Sequence, residues 1–364
     1  MTEAPVASGP GTVDPRLQTR VTELFGCRYP IVQTGMGWVA YPPLVTAVCE
    51  AGGLGIIAAA PMTWDQMTAA IREVKEHTDM PFGVNFRTDI ADIDKRIDFV
   101  IKEGVRVASF AQAPSEAMVK KLKDAGVVTM PTVGARRHAE KVAAWGVDAV
   151  IAQGGEGGGH TGSVPTSILI PQVVDAVDIP VLAAGGMTGG SGLAAALAWG
   201  AEGIAMGTRF LLTAESQVPA AVKDVYFATD VNGTVVSRAI DGAPQRVIRT
   251  EMVDRLEKAG VLAFPLAAAN ALKFRKLTGT PLLALVREGL AMRKSQDLTW
   301  SQLALAANAP MLTKATMVDG KIDVGILPTG QGLGVIDDAP AAADVINTIV
   351  AEAVDALDRI SRDR

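Results

Sequence analysis

The sequence contains very few cysteine and histidine residues. Among its 364 residues there are two cysteines, Cys27 and Cys49, and three histidines, His77, His138 and His160. Two thiols cannot build a disulfide framework or a cysteine-rich zinc site, so we expect inert thiols and no metal centre. Any imidazole chemistry must come from one of three side chains.

Long apolar runs and an excess of positive charge are also missing. No run approaches the ~18 consecutive apolar residues that a membrane-spanning helix needs. The first twenty residues have no apolar signal core, so we expect a cytoplasmic protein without a membrane partner. With 34 basic and 39 acidic residues the formal net charge is −5, which gives no overall footprint for nucleic acid.

Aromatic residues are scarce, at 5 % of the chain, whereas glycine is abundant, with 37 residues. This composition favours close packing of helices on strands and many tight turns over an aromatic-rich β-sandwich. Hydrophobic residues make up 49 % and charged residues 20 %, as in compact enzymes. The chain is long enough for one large α/β domain or two smaller ones.

Short apolar runs alternate with segments of helical periodicity over the first 210 residues. The runs lack polar alternation, which is typical of parallel strands buried on both faces. Eight runs with seven helical segments between them predict an α/β fold, a closed (β/α)₈ TIM barrel, with an open sheet of six or seven strands as the alternative. The eight runs are Ile31–Gln33, Leu54–Ala59, Phe82–Phe86, Val107–Ala111, Val127–Thr132, Ala149–Gln153, Val181–Ala184 and Gly203–Met206.

The alternation of apolar runs and helical segments ends near residue 210. We therefore predict that the chain is divided into four parts. Residues 1–18 form a flexible tail and residues 19–214 form the barrel. Residues 215–325 form a mostly helical insertion, without a strand repeat, that would act as a lid and substrate domain. Residues 326–364 return to the barrel and end in an amphipathic helix that packs on it.

Glycine pairs follow the last two predicted strands. In a TIM barrel these two loops usually hold a phosphate group, and consecutive glycines expose the backbone N–H groups that bind it. We therefore predict a phosphate cradle made of Gly185, Gly186, Gly207 and Thr208. The alternative is that the glycines only make tight barrel turns.

The loop after the sixth predicted strand, residues 153–162, contains His160 among glycines. Residues 157–162 match G-x-G-x-x-G, but the next strand does not end in the acidic residue that a dinucleotide site requires, so we reject that site. Imidazole titrates near neutral pH, which suits proton abstraction. We predict that His160 is catalytic; the alternative is a histidine that only hydrogen-bonds a ligand or the backbone. His77 and His138 lie in predicted helices among charged residues and are expected at the surface.

A basic stretch lies inside the predicted insertion. Residues 270–295 hold six basic residues against one acidic residue, Glu288. This is either a solvated helix face or a site for the phosphate-rich handle of a substrate such as coenzyme A. The candidates for substrate binding are Lys273, Arg275, Lys276 and Arg293.

Taken together, these loops resemble the nitronate monooxygenase (2-nitropropane dioxygenase) family of FMN-dependent TIM barrels. The resemblance rests on Gln33–Gly37, Gly52–Gly55, Phe82–Asn85, Gln153–Gly162, Ala183–Gly186, Met206–Phe210 and Gly330–Gln331. It implies noncovalently bound FMN, with Gly35, Met36, Asn85 and Gln153 around the isoalloxazine and ribityl chain, and Gly158 and Gly159 as further cofactor-binding residues. It also implies a phosphate site at Gly185, Gly186, Gly207 and Thr208, and His160 as the base or proton donor beside the flavin.

The segments 298–302 and 308–319 extend the resemblance to an actinobacterial subgroup that acts on CoA esters during steroid ring degradation. It implies an oxidoreductase that oxidises or reduces a CoA thioester, within a possible homo-oligomer. The alternatives are a nitronate monooxygenase that uses O₂, an enoyl-thioester reductase, and a flavin-binding barrel without turnover. Where the family commonly has Glu-Ala-Gly-Gly-His, this chain has Glu-Gly-Gly-Gly-His at residues 156–160, a more pliant loop.

Overall fold

Eight parallel strands form a closed barrel in the computed structural model, which describes residues 13–259 and 309–361. The last barrel strand pairs in parallel with the first, so the sheet has no open edge. This confirms the TIM barrel and excludes the open sheet. The barrel strands are β1 (Ile31–Gln33), β2 (Leu54–Ala58), β3 (Gly83–Phe86), β4 (Val107–Phe110), β5 (Val128–Val133), β6 (Val150–Gln153), β8 (Val181–Ala184) and β9 (Gly203–Met206).

Helices connect consecutive barrel strands. The helices that follow the eight barrel strands are α2 (Pro42–Glu50), α3 (Trp64–His77), α4 (Ile93–Glu103), α5 (Glu116–Asp124), α6 (Arg136–Ala144), α7 (Thr166–Val174), α8 (Gly190–Ala198) and α9 (Thr208–Leu211). Helix α3 shows how the sequence sets their ends: the Thr63 side chain accepts a hydrogen bond from the Gln66 N–H, and Gln66 reaches back to the Thr63 N–H, which completes a capping box.

The barrel interior is filled by alternate side chains of its strands, among them Val32, Leu54, Ile56, Met130 and Leu182. Helix α1 (Arg20–Phe25) adds its own apolar side chains to this cluster. It is fixed to residues that precede β4 and β9, because the Arg106 side chain donates to the Leu24 carbonyl and the Thr19 hydroxyl donates to the Glu202 carbonyl. Helix α1 therefore covers the amino-terminal end of the barrel and leaves the carboxyl-terminal ends of the strands to the site.

Residues 215–248 differ from the mostly helical arrangement that the sequence predicted. They contain α10 (Ala220–Phe227) and then a hairpin of β10 (Thr234–Ser237) and β11 (Gln245–Ile248). Strand β11 also pairs with β7 (Gly159–His160), so that β10, β11 and β7 form a second sheet. The sequence predicted a mostly helical region without a strand repeat and did not predict this hairpin, because its strands are short and the partner strand β7 lies about 85 positions earlier in the chain.

The carboxyl-terminal part of the chain lies against the barrel. After α11 (Glu251–Ala259) and α12 (Ala309–Met317), the long helix α13 (Ala342–Ser361) packs on α8. The two helices touch at Gly190, where an added Cβ would lie 2.4 Å from the backbone nitrogen of Ala353. Only glycine allows this close approach.

The structure describes both cysteines and all three histidines, so it can be compared with the predictions for these residues. His77 and His138 are exposed, as predicted. Cys27 and Cys49 are free thiols, and burial raises the pKa of each to about 12, so both are inert near neutral pH. Within residues 13–259 and 309–361, no helix has the length and apolar character needed to cross a membrane.

Candidate active site

The loops that follow β1 and β3 meet at the carboxyl-terminal end of the barrel. Gly35 lies so close to Asn85 that an added Cβ would be 2.3 Å from the Asn85 Cβ. Asn85 is buried, and its amide nitrogen donates to the Ser109 hydroxyl at 3.2 Å. Trp38, in the same first loop, has a φ of 68°, which is unusual for a bulky residue. Such strain persists only where surrounding structure holds it, and it concentrates at functional sites.

The four residues that the sequence predicts as a phosphate cradle lie in the loops after β8 and β9. Gly185 and Gly186 have φ values of 99° and 73°, in the left-handed region that residues other than glycine rarely adopt. Successive backbone N–H groups in such a loop can converge on an anion. Gly207 precedes α9, and Thr208 is the first residue of that helix. Among the described residues, no acceptor meets the N–H groups of Gly185, Gly186, Gly207 or Thr208. Four donors therefore remain available to a ligand at this end of the barrel.

The two helices that follow these loops differ at their amino termini. The carboxylate of Glu352, from α13, accepts a hydrogen bond from the Gly190 N–H at 2.7 Å and so occupies the start of α8. No described carboxylate caps the start of α9 at Gly207 and Thr208. An anion is therefore favoured at α9 and at the glycine loop, and disfavoured beside Glu352.

His160 lies at the rim of the site, on the short strand β7. Its position is set by pairing with Gln245 of β11, and its side chain is 66 % exposed. The Nε2 atom of His160 lies 2.7 Å from the Oδ2 atom of Asp241, a residue in the turn between β10 and β11. The hairpin of the insertion therefore supports the predicted catalytic histidine directly.

The glycine-rich loop that carries His160 is held by polar side chains. Gln153, predicted to line the flavin, donates from its amide nitrogen to the His160 carbonyl at 2.8 Å. Arg246 donates to the Gly155 carbonyl at 2.9 and 3.1 Å. Burial lowers the pKa of the Arg246 guanidinium, and nearby Glu156 partly offsets this effect. These bonds limit the freedom that the glycines give to the loop.

Glu156 connects the same loop to two neighbouring segments. Its carboxylate accepts hydrogen bonds from the Thr166 N–H at 2.9 Å and from the Thr166 hydroxyl at 2.6 Å. Its backbone carbonyl accepts from the Gln331 N–H at 2.9 Å. The histidine loop is thus attached both to α7 and to the returning chain.

The returning chain, residues 326–331, covers part of the site. It runs beside β11, where Val247 pairs with Pro328. The Gly330 N–H donates to the Thr208 hydroxyl at 3.0 Å. An added Cβ at Gly158 would lie 2.5 Å from the carbonyl carbon of Thr329, so this chain lies directly on the histidine loop.

The structure thus brings together the candidate residues of the first, third, sixth, seventh and eighth barrel loops. Met36 completes the set, since an added Cβ at Gly207 would lie 3.4 Å from its sulfur. Gly159 is next to His160 on β7. The basic candidates Lys273, Arg275, Lys276 and Arg293 lie outside the described residues. No cluster suited to a metal ion occurs in the part of the chain that the structure describes.

Sequence reasoning missed three supporting residues, Asp241, Gln245 and Arg246. They belong to the hairpin that was predicted to be part of a helical segment. A possible signal was the turn sequence Asp-Gly-Ala-Pro at residues 241–244, which is typical of a hairpin loop.

Substituting Gly35 by alanine tests the close contact between the first and third loops. The new methyl group would overlap the Asn85 side chain, so we expect a loss of about 1–3 kcal/mol in the free energy of unfolding. We also expect weaker flavin binding, because Asn85 must move. Chemical denaturation and flavin titration measure the two effects.

Gly37→Ala is the matched control in the same loop, because its added Cβ would meet Pro61 at an ordinary 3.7 Å. Equal unfolding free energies for the two variants would contradict the predicted overlap.

Comparison with known proteins identifies the class of this barrel. The sequence model described as nitronate monooxygenase matches residues 18–95 and 87–352 of the chain. The chain therefore belongs to the nitronate monooxygenase family of oxidoreductase enzymes, as the sequence predicted.

Individual relatives differ in how much of the chain they match. A (3aS,4S,5R,7aS)-5-hydroxy-7a-methyl-1-oxo-octahydro-1H-indene-4-carboxyl-CoA dehydrogenase of Rhodococcus jostii (strain RHA1) is 55 % identical over 94 % of this chain and 98 % of its own. The protein of the same name from Mycobacterium tuberculosis (strain ATCC 25618 / H37Rv) is 53 % identical over 95 % of this chain and 99 % of its own. A probable nitronate monooxygenase of Staphylococcus saprophyticus is 33 % identical over 67 % of this chain and 82 % of its own.

Among solved structures, FabK from Thermotoga maritima superposes with a TM-score of 0.78. It is 33 % identical in sequence, and the match covers 94 % of this chain and 98 % of that protein. The fold of this chain is therefore shared with a protein that carries a different name from the relatives above.

Proposed function

We propose that this protein is an FMN-dependent oxidoreductase that acts on a CoA thioester, as in steroid ring degradation. One observation carries the choice of substrate. The relatives named as carboxyl-CoA dehydrogenases are 55 % and 53 % identical over nearly the whole chain, whereas the probable nitronate monooxygenase of Staphylococcus saprophyticus is 33 % identical over 67 % of it. Because the insertion supplies the support for His160, similarity there bears on the chemistry of the site.

The donor set at the barrel end supports FMN as the cofactor. The N–H groups of Gly185, Gly186, Gly207 and Thr208 suit the phosphate of a mononucleotide, and α9 adds the positive end of its dipole. Gly35, Met36, Asn85, Gln153, Gly158 and Gly159 would lie around the rest of the cofactor. The tight contacts at Gly35 and Gly158 fit loops that approach a flat ligand through backbone atoms.

The cofactor and the protein supply different parts of the proposed reaction. FMN, when bound, supplies a carrier for a hydride or an electron pair. His160 exchanges a proton with the carbon that the thioester carbonyl makes acidic, and the solvent-facing imidazole can pass that proton to water. The loop contacts of Gln153 and Arg246 hold His160 at the rim. Lys273, Arg275, Lys276 and Arg293 are proposed to bind the phosphates of the CoA handle.

Oxidation of alkyl nitronates is the second candidate, and membership of the nitronate monooxygenase family favours it. A nitro group acidifies the neighbouring C–H as a thioester does, so the same base could convert a nitroalkane into the nitronate that is then oxidised. Nitronates have no phosphate handle, however, and would leave the basic stretch without a role.

An anaerobic titration separates the two candidates. The purified protein, with its cofactor identified as FMN by chromatography after release, is mixed with an acyl-CoA thioester or with an alkyl nitronate. Bleaching of the flavin by the thioester alone supports our proposal, and bleaching by the nitronate alone overturns it. The matching thioester of N-acetylcysteamine, which lacks the CoA phosphates, is the control: it should bleach the flavin at much higher concentrations than the CoA ester.

A further inference from the structure

A carboxylate that is mostly shielded from solvent lies directly behind the exposed His160. Asp241 lies in the turn between β10 and β11, and its side chain is 10 % exposed, whereas that of His160 is 66 % exposed. The Asp241 Oδ1 atom accepts a hydrogen bond from the Ala243 N–H at 3.1 Å, so the turn itself fixes the carboxylate. The carboxylate is therefore part of the support, and the imidazole is the part that faces solvent.

The hydrogen bonds around Asp241 determine where the imidazole proton lies. An ionised carboxylate can only accept hydrogen bonds, so the 2.7 Å contact between Oδ2 and Nε2 requires a proton on Nε2 of His160. The Gln245 side-chain nitrogen, which is also a donor, contacts the same Oδ2 atom. The Gln245 side-chain nitrogen lies 3.2 Å from Nε2 of His160. These two nitrogens are then both donors, and they share Oδ2 of Asp241 as their acceptor. Neutral His160 thus carries its lone pair on Nδ1.

We propose that Asp241 is a positioning residue that keeps the proton on Nε2 and presents Nδ1 of His160 as the proton-accepting atom. This inference rests on the proposed function, in which His160 exchanges a proton with substrate. When the substrate C–H bond breaks, its proton forms the Nδ1–H bond, and the electron pair stays on the substrate, where the thioester carbonyl delocalises it. The resulting imidazolium keeps its Nε2–H bond to Asp241, and the carboxylate stabilises the new positive charge.

The position of Gln245 supports this role. It pairs with His160 across β11 and β7 and is buried, so its amide can satisfy the carboxylate without reaching solvent. A carboxylate with two side-chain donors and one backbone donor is held in one orientation. The imidazole ring is oriented in turn by the contact of its Nε2 atom with Asp241, while the Gln245 side chain lies against the same atom.

Nitrogen-15 NMR of the holoenzyme labelled at histidine tests the proton position without any variant. The chain has three histidines, so the spectrum is simple, and His160→Ala assigns the relevant signals. We expect neutral His160 to be protonated on Nε2. Protonation on Nδ1 in the wild-type protein would overturn the proposal.

Asp241→Asn tests the consequence for the reaction. Asparagine keeps the shape of the side chain but can donate to Nε2, which favours the wrong tautomer. We expect a fall in kcat of roughly 10- to 1,000-fold, smaller than in a fully buried triad, with KM changed less than threefold. The NMR spectrum of the variant should show loss of the Nε2–H form.

Asp254→Asn is the matched control, because Asp254 also lies in the insertion and pairs with a cation, Arg249, at 2.9 Å. It should leave kcat and the His160 signals unchanged. Unchanged kcat in Asp241→Asn would overturn the positioning role. A different combination would overturn only the role of His160 as the base. In that case the wild-type protein would show the Nε2–H signal, and His160→Ala would still reduce its flavin at the wild-type rate. If Asp241→Asn does not fold, the wild-type tautomer decides.

Discussion

Replacing His160 by alanine is expected to slow reduction of the bound flavin by roughly 10²- to 10⁴-fold, the usual contribution of a general base. The flavin should remain bound, because the imidazole contacts Asp241 and Gln245 and none of the cradle amides. Rapid mixing of the holoenzyme with substrate under anaerobic conditions measures the rate, and the absorbance of the resting protein measures the flavin content.

His138→Ala provides a matched histidine variant for this experiment. His138 is exposed on α6, so its removal should change neither the rate nor the flavin content. If the His160 variant reduced its flavin at the wild-type rate with the CoA ester, His160 would not be the base.

A negative charge at Gly207 is expected to weaken FMN binding strongly. Gly207 has φ −106° and ψ −73°, values that other residues can adopt, and an added Cβ would stand at 3.4 Å from its nearest neighbours. An aspartate there would lie beside the bound phosphate. We expect Gly207→Asp to bind FMN ten- to a hundredfold more weakly than Gly207→Asn, about 1.4–2.8 kcal/mol of repulsion between like charges.

The asparagine variant has the same size and removes the effect of bulk from the comparison. Riboflavin, which has no phosphate, is the second control and should bind the two variants equally. Fluorescence titration of the apoprotein gives all four dissociation constants. Equal FMN affinities in the two variants would show that the phosphate lies elsewhere.

The barrel could be predicted closely from the sequence because its strands have a simple signature. Every predicted strand begins and ends within one residue of the observed one; for example, the run Leu54–Ala59 corresponds to β2, Leu54–Ala58. Parallel strands buried on both faces require continuous apolar residues, and the intervening helices have a clear period. Local composition is therefore sufficient to locate them.

The hairpin that carries Asp241 was not predictable in the same way. Strands β10 and β11 contain four residues each, and β11 depends on β7, a strand of two residues, for its second neighbour. Such strands form because distant parts of the chain meet, which a local pattern does not reveal. The glycine loops were recognised by composition, yet their support depends on residues that are distant in sequence: Arg246 donates to the Gly155 carbonyl, and Gln331 donates to the Glu156 carbonyl.

The contact between Thr208 and Gly330 has a consequence for the synthesis of the protein. These residues meet across 122 positions of sequence, so the eight barrel strands leave the ribosome well before the segment that covers the cradle. A nascent chain that ends before Gly330 therefore lacks the segment that covers the candidate site. We expect this end of the site to be completed only near the end of translation, when closure of this long loop becomes possible.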